Sequence, residues 1–303
     1  LPDGLASDRP ADTVAGARAF AAAGCASCQT SPEDDADGPP VLAGGQAFAS
    51  DFGTFYAPNI SSDSTTGIGG WSLDEFARAV TLGVSPKGQH YYPAFPYAAY
   101  QHMTEQDVAN LFAYMQTLPD DATPSRAHDV GFPFNIRRGL GLWKVAFIPD
   151  DYVMAADTET LERGRYLVEG LGHCAECHTP RNALGGLDRN RWMAGAPNPS
   201  GKGTIPNITP EALDWSEGDL VDYFNSGFTP EYDSAGGKMA EVVENLSRLP
   251  EETGKRSLLT SSARKQSPER SGQLRLPGRA PPRKIIARGI RRAGQRRGRD
   301  HSE

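Results

Sequence analysis

The chain has 303 residues, a formal net charge of −7, 38% hydrophobic residues and four cysteines. That length suits about two domains with substantial cores, and no stretch approaches the roughly 18 uninterrupted apolar residues of a membrane-spanning helix. The charge is unevenly placed: Thr253 to Glu303 carries +12 and the rest of the chain −19. An acidic body of that kind does not suit nucleic acid and favours a basic protein partner.

The start, Leu1-Pro2-Asp3-Gly4, has no initiator Met, basic run or apolar stretch, and reads as processed or truncated. Gly24-Cys25-Ala26-Ser27-Cys28-Gln29 then presents a C-x-x-C pair. Ala57-Pro58-Asn59-Ile60-Ser61 and Thr66-Gly67-Ile68-Gly69-Gly70-Trp71 lead into a predicted helix with Leu73, Phe76, Ala77 and Val80 on one face. Ser72 and Glu75 form its capping box and Gly83 stops it. After Tyr92-Pro93-Ala94-Phe95-Pro96-Tyr97, a second helix is predicted from Thr104 to Leu118, with Val108, Leu111, Phe112, Met115 and Leu118 on its apolar face.

Residues 119–160 form the expected connection, but Phe132 to Phe147 is too apolar for a solvated linker and is expected to pack across a domain interface or to meet a membrane or partner. A helix through Tyr166, Leu167 and Leu171 then leads to His173-Cys174-Ala175-Glu176-Cys177-His178. C-x-x-C-H is the attachment sequence of a c-type haem, with a thioether to each sulfur and the imidazole under the iron. Without the trailing His, a C-x-x-C pair is equally half of a zinc site or a thiol redox couple. Downstream, Ile205-Pro206-Asn207-Ile208-Thr209 and Asp214-Trp215-Ser216-Glu217-Gly218-Asp219-Leu220 repeat the first half, with Ser216 and Asp219 as helix start and Gly227 as stop. The chain therefore holds two copies of one module.

These motifs, with Gly236-Gly237-Lys238-Met239-Ala240-Glu241, make the chain resemble the two-haem cytochrome c family that includes cytochrome subunits of periplasmic alcohol, gluconate and related dehydrogenases. The resemblance runs from about Gly16 to Pro250. It implies a mainly α fold of two tandem cytochrome c-like domains, at 1–118 and 161–252, with a linker at 119–160. It also implies a loop Met opposite the His on the iron, which in the second module is Met239; the alternative is Met239 as core filler.

The first module departs from that pattern at both iron ligands. Gln29 stands at the His position and Phe95 at the Met position, and a neutral carboxamide is a poor iron ligand. Cys25 and Cys28 thus mark an altered site whose haem is doubtful, with Met103 as the substitute ligand or a core residue, and His90 and His102 behind it. Without haem there, the two cysteines are an oxidised pair or free thiols. All four cysteines lie in the two motifs, leaving none for structural disulfides. Because haem c is attached outside the cytoplasm, the expected compartment is the periplasm.

Residues 253–303, basic and poor in aromatics, are expected to stay disordered, as the product of a reading frame lost near Glu252. The expected function is one-electron transfer without catalysis by the chain itself, between a dehydrogenase subunit and a downstream cytochrome or oxidase, with possible peripheral membrane association. The alternative is a diheme enzyme of the thiosulfate dehydrogenase or peroxidase kind, using an open first site.

Overall fold

The computed structural model describes residues 10–31, 38–199 and 201–249. The tail from Thr253, with the disorder and reading-frame expectations attached to it, lies outside the described residues.

The first half begins with α1 (Thr13–Ala22), whose N-cap Asp12 accepts from the Val14 and Ala15 amides. The short α2 (Cys25–Gln29) follows, then the hairpin β1 (Ala47–Ser50) and β2 (Gly53–Tyr56). The expected first helix is α3 (Leu73–Leu82), closed by the Ser72/Glu75 capping box and by Gly83 at φ 60°. After α4 (Tyr97–Tyr100), Thr104 caps α5 (Glu105–Met115).

The helix α1 crosses α5 closely. A Cβ on Gly16 would lie 2.0 Å from the Asn110 carbonyl oxygen, so only glycine permits this approach. Beside the crossing, Phe20 and Tyr114 meet edge to face at 5.3 Å.

The connection is fastened to the first half and not free in solvent. Asn59 Nδ2 donates to the Asp121 and Thr123 carbonyls at 2.7 and 2.8 Å, and Ser62 Oγ donates to the Leu118 carbonyl. β3 (Asp129–Val130) adds to the hairpin, giving an antiparallel sheet of order β1-β2-β3. α6 (Gly139–Phe147) then spans both halves: Lys144 Nζ donates to the Leu82 and Gly83 carbonyls, and Trp143 Nε1 to the Leu184 carbonyl at 2.7 Å. One face of the segment is thus bonded to both halves of the chain.

In the second half, α7 (Glu159–Arg165) runs into a π-helical turn, Tyr166–Leu171, before α8 (Cys174–His178). Sequence spacing accounts for the turn. Cys25 lies nine positions after Gly16, but Cys174 lies ten after Gly164, and a single extra residue in a helix is absorbed as a π-bulge. Glu169 in this turn is buried and accepts from the Val153 and Met154 amides, tying down the end of the connection. The hairpin β4 (Ala196–Pro197) and β5 (Thr204–Ile205), α9 (Glu217–Ser226) with its Ser216/Asp219 capping box, and α10 (Lys238–Ser247) complete the described elements.

One core runs through both halves, joining Ala19, Phe20, Leu111 and Met115 to Leu167, Leu171, Leu246 and Leu249. α10 reaches back to the first motif, where Asn245 Nδ2 donates to Ser27 Oγ at 2.9 Å. Any second-half counterpart of α5 would follow Pro250, outside the described residues.

Candidate haem-attachment site

Cys174 opens α8, Cys177 lies one turn on, and His178 closes the helix. His178 Nδ1 stands 2.9 Å from the Pro206 carbonyl oxygen. A carbonyl only accepts, so Nδ1 carries the proton and Nε2 keeps its lone pair. Burial lowers the pKa of the ring, opposed by the Pro206 hydrogen bond, so the imidazole stays in its neutral, ligating form near pH 7. Burial, with Cys177 beside it, raises the Cys174 thiol to about 12. A buried neutral thiol is a poor redox nucleophile.

Two thiols one helical turn apart, an imidazole with a free Nε2 and an orphaned donor together suit a covalently attached haem. The orphan is Trp192 Nε1, buried without a hydrogen-bond partner. Its neighbour Met193 is tied to Thr179 Oγ1 through its amide and to the Ile208 amide through its carbonyl. The Trp192 backbone is thus tied close to the residue after the motif, and a haem carboxylate would satisfy the buried indole N–H.

The first site repeats this backbone bond for bond. The Gly44 amide donates to the Gln29 carbonyl at 2.8 Å, as the Gly195 amide does to the His178 carbonyl at 2.8 Å. The Ile60 amide donates to the Leu42 carbonyl as the Ile208 amide does to the Met193 carbonyl. Gln29 therefore occupies the slot of His178. Its Oε1 is buried and has no hydrogen-bond partner. Cys25, like Cys174, is raised to about 12, first by burial and then by its partner thiol Cys28. No disulfide joins any two of the four cysteines.

The loops that lead to Phe95 and Met239 also align. The bridges Val84–His90 and Phe228–Ser234 close equivalent loops, and the Tyr91 amide bonds the Gly83 carbonyl as the Ala235 amide bonds the Gly227 carbonyl. Counting five residues on from each bridge residue, His90 or Ser234, reaches Phe95 in one half and Met239 in the other. Phe95 packs edge to face on Tyr91, Tyr97 and Tyr100. Met239 is half-buried in the first turn of α10, whose Lys238 and Glu241 act electrostatically on the Cys28 thiol.

The three substitute ligands for the first site have other engagements. Met103 is buried in the shared core, His102 stacks on Tyr152 at 4.0 Å, and His90 Nδ1 lies 3.1 Å from Lys144 Nζ. Sequence reasoning assigns no role to the Pro206 carbonyl, to Trp192 or to His173. His173, just ahead of α8, reaches the end of α1 and α4, with Nε2 3.2 Å from the Ala23 carbonyl and its ring edge-on to Tyr100. The matching Pro-Asn-Ile segments are the available signal for Pro206; His173 and Trp192 carry none.

No family model matches the chain. It is similar to a protein of Cereibacter sphaeroides named diheme cytochrome c-type, at 54% identity over 238 residues, covering 78% of this chain and 80% of the relative. It is also similar to the fructose dehydrogenase cytochrome subunit of Gluconobacter japonicus, at 41% identity over 76% of this chain and 48% of the relative. The gluconate 2-dehydrogenase cytochrome c subunit of Pantoea cypripedii is 35% identical over 80% of this chain and 57% of the relative. The chain thus spans about half the length of these two dehydrogenase subunits.

Proposed function

The chain belongs to the family of diheme c-type cytochromes and dehydrogenase cytochrome c subunits, and from that premise we propose that it is a one-electron carrier of the periplasm, receiving electrons from a dehydrogenase and passing them to a downstream cytochrome or oxidase. The observation that supports this best is the His178 ring, kept neutral and anchored through Nδ1 on the Pro206 carbonyl beside two protonated thiols. Haem bound through Cys174 and Cys177 supplies reversible one-electron chemistry at its iron.

The chain's own residues supply the rest. His178 offers Nε2 in a fixed orientation and, with Met239, would hold the iron, while Trp192 Nε1 would be free to donate to a haem carboxylate. The surrounding apolar side chains, among them Met193, Leu187 and Ile208, exclude water. Were His178 and Met239 both to hold the iron, it would have no room for a substrate, and dehydrogenation would belong to the partner. The −19 charge of residues 1–252 favours a basic partner surface, with association weakening as salt rises.

In the first module Gln29 and Phe95, both poor iron ligands or none, stand where His178 and Met239 stand in the second, and we infer about one haem per chain. The test is a redox titration combined with intact mass. A one-electron wave with a c-type visible spectrum and a single haem mass is expected, and Gln29→His is expected to raise the haem content toward two. No c-type spectrum would return the chain to a zinc or thiol module. Two haems in the unmodified chain, one of them binding carbon monoxide, would replace the carrier reading with that of a ligand-binding diheme enzyme.

A further inference from the structure

The side of α6 that faces away from the protein is uniformly apolar. Trp143 and Lys144 fasten the helix inward to the second and first halves. Outward point Gly139, Leu142, Val145 and Ala146, with Leu142 79% and Val145 85% exposed. The turn leading into the helix adds Phe132 and Ile136, 81% and 54% exposed. Residues 131–149 contain Arg137, Arg138 and Lys144 and no carboxylate, in a body that otherwise carries a strong negative charge.

We propose that this face docks on an anionic phospholipid surface, with Leu142, Val145, Phe132 and Ile136 entering the headgroup boundary and Arg137 and Arg138 meeting the phosphates. Apolar side chains on one stripe beside cations are the pattern of a helix lying in the plane of a membrane. With nine residues α6 is far too short to cross a bilayer, and no helix among the described residues is long and apolar enough to do so. Charge complementarity favours lipid over the redox partner. A partner drawn to the acidic body is basic and would be repelled by Arg137 and Arg138, whereas phosphates are attracted to them at contact distance, where salt screens the repulsion between the more distant acidic surface and the lipid. The inference is independent of the electron-carrier reading, since none of these residues takes part in the haem-attachment site.

The test is flotation of the purified full chain with phosphatidylcholine vesicles, with and without phosphatidylglycerol. Parent protein is expected to float with the anionic vesicles and to remain partly bound at raised salt, because the apolar contribution is not screened. The double variant Leu142→Ser/Val145→Ser keeps every charge, including the +12 of residues 253–303, and is expected to bind about tenfold more weakly or worse. Both positions are highly exposed, so folding is preserved; an unchanged c-type spectrum checks this. A second pair, Phe132→Ser/Ile136→Ser, should act in the same direction. Equal flotation of parent and both variants, or no flotation of the parent, overturns the proposal. Unchanged flotation with loss of dehydrogenase co-purification assigns the face to a protein partner.

Discussion

Met239→Ala is expected to leave the haem covalently attached while removing the weak sulfur-to-iron band at the red end of the visible spectrum. The same change should lower the reduction potential by on the order of 0.1 V, a fraction of the roughly 0.8 V that axial ligands span. Thioether attachment depends on Cys174 and Cys177, so it should survive, and the opened axial position should now bind carbon monoxide. Met193 is the control. It fills the slot of Leu42 in the repeat and is buried, so Met193→Leu should leave both band and potential in place. His178→Ala removes the anchored ring and is expected to abolish the normal low-spin spectrum. If Met239→Ala changed neither band nor potential, Met239 would be core filler and the equivalence with Phe95 would carry no chemical meaning.

Gly16→Val is expected to destabilise the fold more than any surface change. The added Cβ would meet the Asn110 carbonyl oxygen at 2.0 Å, the carbonyl carbon at 2.7 Å and Tyr114 Cβ at 2.7 Å. Two of these are backbone atoms that cannot rotate away, so α1 and α5 must separate. The cost is about 3 kcal/mol or more, or a fall in melting temperature of about 6–12 °C for a chain of this size. Gly218→Ala in α9 is the contrast, because its Cβ would meet only Ser216 Oγ, at 3.6 Å. That substitution should be neutral or stabilising by about 0.5–1 kcal/mol through helix propensity. A Gly16→Val protein melting within a degree or two of the parent would refute the close crossing.

Much of the molecule is legible in its amino-acid order alone. The haem-attachment reading rests on five consecutive residues, Cys174 to His178, because the chemistry depends on thiols and an imidazole at fixed short spacing. Helices α3 and α9 are bounded by Ser72/Glu75 with Gly83 and by Ser216/Asp219 with Gly227, in sequence and in structure alike, since a cap is a bond between residues three apart. The duplication is visible through the paired Pro-Asn-Ile and Trp-Ser segments, and it makes Gln29 and Phe95 stand out as departures.

The remainder depends on contacts that local pattern does not encode. The bond that sets the tautomer of His178 comes from a backbone carbonyl 28 residues away, and any residue type has a carbonyl. Asn245 reaches Ser27 across 218 residues, and Gly16 shows its purpose only once Asn110 lies against it. The two faces of α6 cannot be assigned from composition, since Trp143, Lys144, Leu142 and Val145 are adjacent in a single apolar run. Capping bonds, and the spacing that covalent haem attachment would need, fall within one or two helical turns and so leave marks in sequence. Helix crossings, ring tautomers and the choice of buried face are set by which distant surfaces meet, and those follow from the fold.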